Sequence, residues 1–227
     1  QNYPYVQTIA ADAAHIPLES KTMDLVSSQF GIEYAGEQAM SEVARLPRKG
    51  GKLALVLHHS DGLIQQECAS SADAIQRLID SDLISMALDM FEKGYSMLRG
   101  AGSDEFHSAA RAVNPVYRSL EPIMDEHGVH VAGETIATLY NRIAEIQKNL
   151  PRYEETEVIG WLEAMASELP AYADRMVAMC QSGQSPEQFK SFCAHLSQMN
   201  YQIQQAHPQQ VADTTLPLAW MLVAERS

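Results

Sequence analysis

Cysteines are scarce in this sequence, and it contains no long hydrophobic run. The three cysteines, Cys68, Cys180 and Cys193, are an odd number and form no Cys-x-x-Cys pair, so their spacing indicates neither a disulfide framework nor a metal site. No apolar run reaches the roughly 20 residues that cross a bilayer. We therefore expect a cytoplasmic protein with no metal and no membrane contact, in which the cysteines are small buried apolar residues.

Basic residues are also few. Lysine and arginine together number 16 against 29 aspartate and glutamate residues, which gives a formal net charge of −13. Such a charge repels the phosphate groups of nucleic acids and the surfaces of anionic lipids, so neither is expected as a partner. An acidic protein mildly favours cationic ligands.

The first quarter of the chain carries a strand–helix–strand pattern. An apolar run beginning at Ile9 leads to Asp12, and Asp24 precedes a second run, Leu25-Val26. A helical stretch then ends before Gly50, and a third apolar run covers Leu53 to Leu57. This β-loop-β-α-β pattern is typical of a parallel α/β sheet. Ligands of such sheets bind at the carboxyl ends of the strands.

The same block resembles the middle of a class I S-adenosylmethionine-dependent methyltransferase of the type 11 group. Motifs of that family occur here in the family's order: Asp12-Ala13, Ile16-Pro17-Leu18, Met23 to Val26, Glu42 to Leu46 and Gly50-Gly51. Pro47 departs from the family, which usually has leucine there, and we expect this proline to end the helix. The resemblance implies a Rossmann-like α/β fold and S-adenosylmethionine as the cofactor.

The family's Gly-rich turn, and the acidic residue that binds the ribose hydroxyls, should lie upstream of this block. The sequence contains no Gly-x-Gly-x-Gly motif between a strand and a helix. The sheet then lacks its first βαβ unit, which takes about 30 residues or more. We therefore expect a Rossmann-like methyltransferase sheet whose N-terminal strands are missing, in a chain that is a fragment of a longer protein.

Apolar residues recur at spacings of three and four from Ser60 to Asn200, which predicts about six amphipathic helices. Prolines such as Pro115 and Pro170 are expected to separate them. The last helix should begin after Ser185, because Ser185-Pro186-Glu187-Gln188 offers an N-cap, a proline at the first helical position and a glutamine for a capping box.

Two strands are predicted after these helices, from Tyr201 to Ala212 and from Leu216 to Glu225. The second contains Ala219-Trp220 and Leu222-Val223-Ala224, which resemble the family's terminal strand. The predicted organisation is a partial methyltransferase core in residues 1–59 and a large all-helical insertion in residues 60–185. A C-terminal helix and strands in residues 186–227 then complete the core.

The resemblance also implies a set of cofactor-binding residues. Asp12 would accept a hydrogen bond from the adenine amino group, and Ala13 would add a backbone contact. The turn after the second strand, Ser28, Gln29 and Phe30, would line the methionine part of the cofactor. An aspartate in a turn can instead cap its own backbone, and that alternative stays open for Asp12.

The residues expected to act on the acceptor lie at or just after the ends of the next strands. Glu33 and His58 are the catalytic candidates, as proton acceptors or, for Glu33, as a group that binds an amine. Tyr34 and His59 are the candidates for contacting the acceptor. Neighbouring residues of a strand point to opposite faces, so at most one of His58 and His59 faces the site. The alternatives are a solvated Glu33 in a first helical turn and histidines that bond to nearby backbone.

Two functions are compatible with these patterns. The first is a methyltransferase acting on a small-molecule acceptor, with the helical insertion as a lid over the site. The second is a non-catalytic, methyltransferase-like protein whose helical insertion serves interaction or dimerisation, since a fold does not guarantee an activity. The expected partners are accordingly a small molecule or a second copy of the chain, and no motif specifies the acceptor.

Overall fold

The computed structural model describes residues 5–212 and 214–227, which form a mixed α/β protein. Residue contacts divide the chain into two compact units: a sheet unit of residues 1–66 and 178–227, and a helical unit of residues 67–177. The strands are β1 (Met23–Gln29), β2 (Pro47–His58), β3 (Tyr201–Gln210) and β4 (Pro217–Arg226). The α-helices are α1 (Gly36–Arg45), α2 (Leu63–Asp80), α3 (Leu83–Leu98), α4 (Asp104–Arg118), α5 (Leu120–His127), α6 (Thr135–Lys148), α7 (Glu155–Ser182) and α8 (Pro186–Gln198).

The four strands form one sheet in the order β1-β2-β4-β3. β1 runs parallel to β2, whereas β4 is antiparallel to both β2 and β3. Leu53, Leu55 and Leu57 alternate along β2 and are buried in a core that residues of α1 and α8 complete. The parallel pairing brings the carboxyl ends of β1 and β2 to the same edge of the sheet, where Gln29 is the register partner of Val56.

The Gly50-Gly51 pair has a steric reason in this sheet. Gly50 has a φ of +75°, which side chains other than hydrogen rarely permit. A Cβ atom added at Gly51 would lie 2.6 Å from the Met23 carbonyl oxygen and 2.9 Å from that of Arg48. Both obstacles are backbone atoms, so β1 can approach β2 at this point only because residue 51 has no side chain.

The helical unit has its own hydrophobic core, in which Phe91, Leu139 and Ile143 are almost completely buried. Gly94 lies inside α3, and a Cβ atom added there would be 2.6 Å from Leu150 Cδ2. The glycine therefore allows close packing inside the helix rather than ending it. Among the described residues, no helix has both the length and the apolar character needed to cross a bilayer.

Most of the predicted elements are confirmed. α1 ends at Arg45, before Pro47, and both C-terminal strands form. The N-cap and capping box at Ser185 are present, with the Ser185 side chain accepting from the Gln188 N–H and the Gln188 side chain accepting from the Ser185 N–H. The mixed α/β class is therefore established, whereas the missing strands and the status of the helical region as an insertion stay predictions.

Two local predictions are wrong. Residues 6–12 form no strand, because in the described part of the chain no other strand pairs with them. Pro115 and Pro170 do not separate helices but lie inside α4 and α7. A proline weakens a helix by removing one backbone donor. α7 continues past Pro170 because residues on both sides of it, Leu169 and Ala173, are held in the hydrophobic core of the helical unit.

Candidate functional site

The carboxyl end of β1 turns sharply and brings its following residues back toward β2. Phe30 adopts a left-handed conformation with a φ of +51°, and its N–H donates to the Val56 carbonyl at 2.9 Å. The Ser28 hydroxyl oxygen then accepts from the Ile32 N–H at 3.1 Å and starts a short 3-10 helix, Ile32–Ala35. Glu33 is thereby placed beside the last residue of β2.

Glu33 and His58 form a buried pair at this edge of the sheet. Glu33 Oε1 accepts the His58 backbone N–H at 3.1 Å and lies 2.8 Å from His58 Nδ1. The side chains of Glu33 and His58 are 0% and 5% exposed. The alternative of a solvated Glu33 is therefore wrong: the 3-10 turn points this carboxylate into the sheet unit, where His58 is its partner.

The carboxylate of Glu33 is only half satisfied. Its second oxygen, Oε2, is one of two buried side-chain oxygens without a hydrogen-bond partner among the described residues, the other being Gln65 Oε1. Burial raises the pKa of Glu33, but hydrogen bonds from His58 and from backbone N–H groups outweigh this effect and hold the pKa below its ordinary value. Glu33 is thus an ionised carboxylate with a free acceptor atom inside the protein.

Two aromatic rings flank the imidazole of His58. The Phe30 ring centroid lies 4.5 Å from that of His58 at an interplanar angle of 38°, and the Tyr34 ring meets it edge-on at 5.6 Å. Tyr34 is 44% exposed, so one of the aromatic neighbours of the buried pair reaches the surface. Four of the predicted site residues, Phe30, Glu33, Tyr34 and His58, are therefore brought together.

His59 points away from this group. Its ring stacks on Trp220 at 4.4 Å and 19°, and its Nδ1 accepts the Asp61 N–H at 3.0 Å. Burial lowers the pKa of His59, and the nearby Asp61 opposes this only in part. The structure confirms that the two histidines point to opposite sides, and a role of His59 toward an acceptor stays a prediction.

Asp12 lies in an exposed turn and not at a strand end. Its Oδ1 accepts the Ala14 N–H at 2.9 Å, and its Oδ2 lies 3.2 Å from His15 Nδ1. These contacts, with the Ala14 bond as the larger cause, lower the pKa of Asp12. The alternative of a turn cap therefore describes the geometry, although an exposed carboxylate can still accept a further hydrogen bond. Ala13 packs against the core of the sheet unit.

Gln184 was missed by the sequence analysis. Its N–H donates to the His58 carbonyl at 2.8 Å, and its own carbonyl accepts the Ser60 N–H at 3.1 Å and the Trp220 indole N–H at 2.8 Å. Gln184 thereby fixes the end of β2 next to the buried pair. The capping sequence at Ser185 located the start of α8, but nothing in it indicated that the preceding residue bonds to β2.

A second cluster of titratable groups lies in the helical unit. His127 Nε2 is 2.8 Å from Asp73 Oδ2, and Arg77 contacts both Asp73 at 3.4 Å and Glu126 at 2.7 Å. The ligand atoms of Asp73, Glu126 and His127 are close enough to hold a metal ion. Arg77 already pairs with both carboxylates, so the cluster is described as an exposed ion-pair network.

Comparisons with known proteins find similarity to methyltransferases. Residues 1–55 match the profile of a methyltransferase domain. An uncharacterised methyltransferase of Schizosaccharomyces pombe is 26% identical over 170 residues, which cover 71% of this chain and 64% of that protein. The ubiquinone/menaquinone biosynthesis C-methyltransferase of Campylobacter jejuni is 40% identical over 58 residues, 25% of each chain. The chain thus spans less than two thirds of either relative, and no solved structure matches it. The resemblance to class I methyltransferases is confirmed.

Proposed function

We propose, from the premise that residues 1–55 belong to a class I methyltransferase domain, that the protein transfers a methyl group from S-adenosylmethionine to a small-molecule acceptor. The observation that carries the proposal is the buried Glu33–His58 pair at the carboxyl ends of two parallel strands. Ligands of open α/β sheets bind at this edge. A charged group with an unpaired oxygen, buried beside an imidazole, is typical of sites where protons are held or moved.

Residues of the sheet unit fit the proposed cofactor in part. Gln29 is exposed at the end of β1, and its side-chain amide has no hydrogen bond to a described residue, so donors and acceptors are free for the methionine part. Ser28 and Phe30 flank it, and Asp12 and Ala13 are proposed for the adenine. When bound, S-adenosylmethionine supplies a methyl group activated by a sulfonium centre. The chain's residues would then position the acceptor and exclude water.

The helical unit is proposed as the lid over the acceptor. This role rests on chain order, because the helical region follows β2 directly in the sequence. The formal charge of −13 supports a neutral or cationic small molecule over nucleic acid or anionic membrane. We propose a cytoplasmic location and leave dimerisation through the helical unit as the competing role for this region.

Calorimetric titration of the full-length protein with S-adenosylhomocysteine tests the proposal. Binding is expected, because the product of methyl transfer keeps the adenosine and the amino acid part of the cofactor. No detectable heat at millimolar ligand would refute methyl transfer. The titration needs no knowledge of the acceptor, which makes it the first experiment to perform.

Asp12→Ala tests the proposed adenine contact, with Asp24→Ala as the matched control. Asp24 lies at the amino end of β1, opposite the carboxyl end at which the candidate site lies. Its carboxylate pairs with Arg48 at 2.5 Å. Loss of an adenine hydrogen bond should weaken S-adenosylhomocysteine binding by about 1–3 kcal/mol, and the control should bind normally. Equal affinities of the two variants would remove Asp12 from the site.

A non-catalytic protein is the second candidate, and the turn at Asp12 favours it. Both carboxylate oxygens of Asp12 already contact groups of their own turn. In this case S-adenosylhomocysteine would not bind, and sedimentation of the full-length protein would show an oligomer. Substitutions on the exposed side of the helical unit would then dissociate that oligomer.

A further inference from the structure

The contacts between Glu33 and His58 fix where the imidazole carries its proton. An ionised carboxylate can only accept hydrogen bonds, so at 2.8 Å from Glu33 Oε1 the Nδ1 atom of His58 must be the donor. Oε1 also accepts the backbone N–H of the same residue, which holds the carboxylate next to the ring. In the neutral ring the other nitrogen, Nε2, is then unprotonated and carries a lone pair.

Nε2 of His58 is the atom of this pair that a ligand can reach. This atom has no hydrogen bond to a described residue. The fully buried side-chain atoms without a partner are Glu33 Oε2 and Gln65 Oε1, so Nε2 is not fully buried. Glu33, in contrast, is sealed and cannot touch an acceptor. In this pair, Glu33 therefore orients the imidazole, and Nε2 of His58 is available for proton transfer.

The free oxygen of Glu33 supports the same division of roles. Leaving a buried carboxylate oxygen unpaired costs on the order of 1–3 kcal/mol, so it is retained only where something offsets the cost. A carboxylate that no cation neutralises among the described residues stabilises a positive charge on the adjacent imidazole. This stabilisation is needed only at the moment when His58 takes up a second proton.

We infer that His58 Nε2 accepts the proton of a planar O–H acceptor, a phenol or an enol, and that Glu33 is the residue that positions His58. The inference rests on the proposed methyl transfer and names its substrate class. Methylation of such an acceptor forms a C–O bond, breaks the C–S bond of the sulfonium donor with its electron pair left on sulfur, and releases the hydroxyl proton. That proton passes to Nε2, and Glu33 stabilises the resulting imidazolium.

Two features favour a planar hydroxyl over an amine. An ammonium group has no lone pair and must lose a proton before it can attack, whereas a hydroxyl keeps lone pairs while it donates to Nε2. The rings of Phe30 and Tyr34 lie next to the His58 imidazole, and aromatic rings pack favourably against planar apolar molecules. The carboxylate that would hold an ammonium, that of Glu33, has a side chain that is 0% exposed.

The test is nitrogen NMR of the histidine rings in the full-length protein, with phenol as the probe and anisole as its matched control. Anisole has the same ring but no hydroxyl proton. We expect His58 to be protonated at Nδ1 and bare at Nε2, and phenol to shift the Nε2 resonance. Phenol should also bind about five-fold more tightly than anisole, the size of one net hydrogen bond.

His59 is the internal reference, because its Nδ1 is an acceptor and the ring must carry its proton at Nε2. Its resonances should not move with phenol. Glu33→Gln should mix the two tautomers of His58 and abolish the preference for phenol, while leaving the His59 signals in place. His58→Gln identifies the signals of His58 by their loss.

Three results would overturn the inference: a His58 protonated at Nε2, no shift with phenol, or equal affinities for phenol and anisole. These results concern His58 alone, so S-adenosylhomocysteine binding would stand beside them. Conversely, a protein that prefers phenol but does not bind S-adenosylhomocysteine would refute methyl transfer, and with it the step that His58 is inferred to serve.

Discussion

Among the histidine–carboxylate pairs of the described residues, two with the same separation lie in opposite environments. His58 Nδ1 and Glu33 Oε1 are 2.8 Å apart in the sheet unit, and His127 Nε2 and Asp73 Oδ2 are 2.8 Å apart in the helical unit. The first pair is buried, whereas Asp73 is 51% exposed and also contacts Arg77. Distance alone therefore does not distinguish the two pairs.

The difference lies in how each carboxylate is satisfied. Hydrogen bonding to His127, with a further bond from Arg77, lowers the pKa of Asp73, and solvent reaches the rest of the group. Glu33 has only His58 and backbone N–H groups and keeps one sealed, unpaired oxygen. A buried charge with unused bonding capacity costs stability, which is why the proposed chemistry is assigned to this pair and not to the exposed one.

The largest expected difference between the pairs is in the free energy of unfolding. Glu33→Ala leaves the backbone N–H and the Nδ1–H of His58 buried without an acceptor, which should cost about 1–3 kcal/mol. Asp73→Ala removes an exposed ion pair and should cost about 0–1 kcal/mol. Urea unfolding of both variants measures the difference. Equal losses would mean that burial does not distinguish the pairs.

The next largest expected effect is on the loss of stability at low pH. The pKa of Glu33 lies below its ordinary value of 4.5 in the folded protein, so the unfolded chain binds this proton more readily. The stability that ionised Glu33 contributes is present above about pH 4.5 and is lost as the pH falls through the lowered pKa. Wild type should therefore lose more stability between about pH 5 and pH 3 than Glu33→Gln does.

The matched control for unfolding at low pH is Glu37→Gln. Glu37 is an exposed glutamate in the first turn of α1. The other carboxylates titrate identically in wild type and in Glu33→Gln, and they cancel when the two unfolding curves are subtracted. Parallel curves for wild type and Glu33→Gln would show that Glu33 is not held ionised by His58.

Local patterns were sufficient to predict most of the sheet unit from the sequence. The apolar run from Leu53 to Leu57 predicted β2, and the capping residues at Ser185 predicted α8, because these features act within a few residues. The run before Asp12 has the same apolar character but forms no strand. A strand exists only with a neighbour, and no local pattern reports whether one is present.

The candidate site could be predicted only by position. The order of strands placed Glu33 and His58 at the same edge of the sheet, but their hydrogen bond depends on a left-handed Phe30 and on the Ser28 contact that starts the next turn. A left-handed phenylalanine has no sequence signature, since such a conformation is uncommon outside glycine, asparagine and aspartate. For this reason the sequence left open whether Glu33 is buried or solvated.

Salt provides the smallest effect and the finest separation of the two pairs. At 1 M salt the screening length is about 3 Å, so the exposed Asp73–Arg77–His127 network loses its attraction, and the cost of Asp73→Ala should fall by a few tenths of a kcal/mol toward zero. The cost of Glu33→Ala should stay constant, because ions cannot enter around a sealed carboxylate.

Both costs are measured by urea unfolding at low and high sodium chloride, so that general effects of salt cancel within each comparison with wild type. A cost of Glu33→Ala that falls with salt would show that solvent reaches Glu33, and the argument for a protected proton-transfer pair would fail with it.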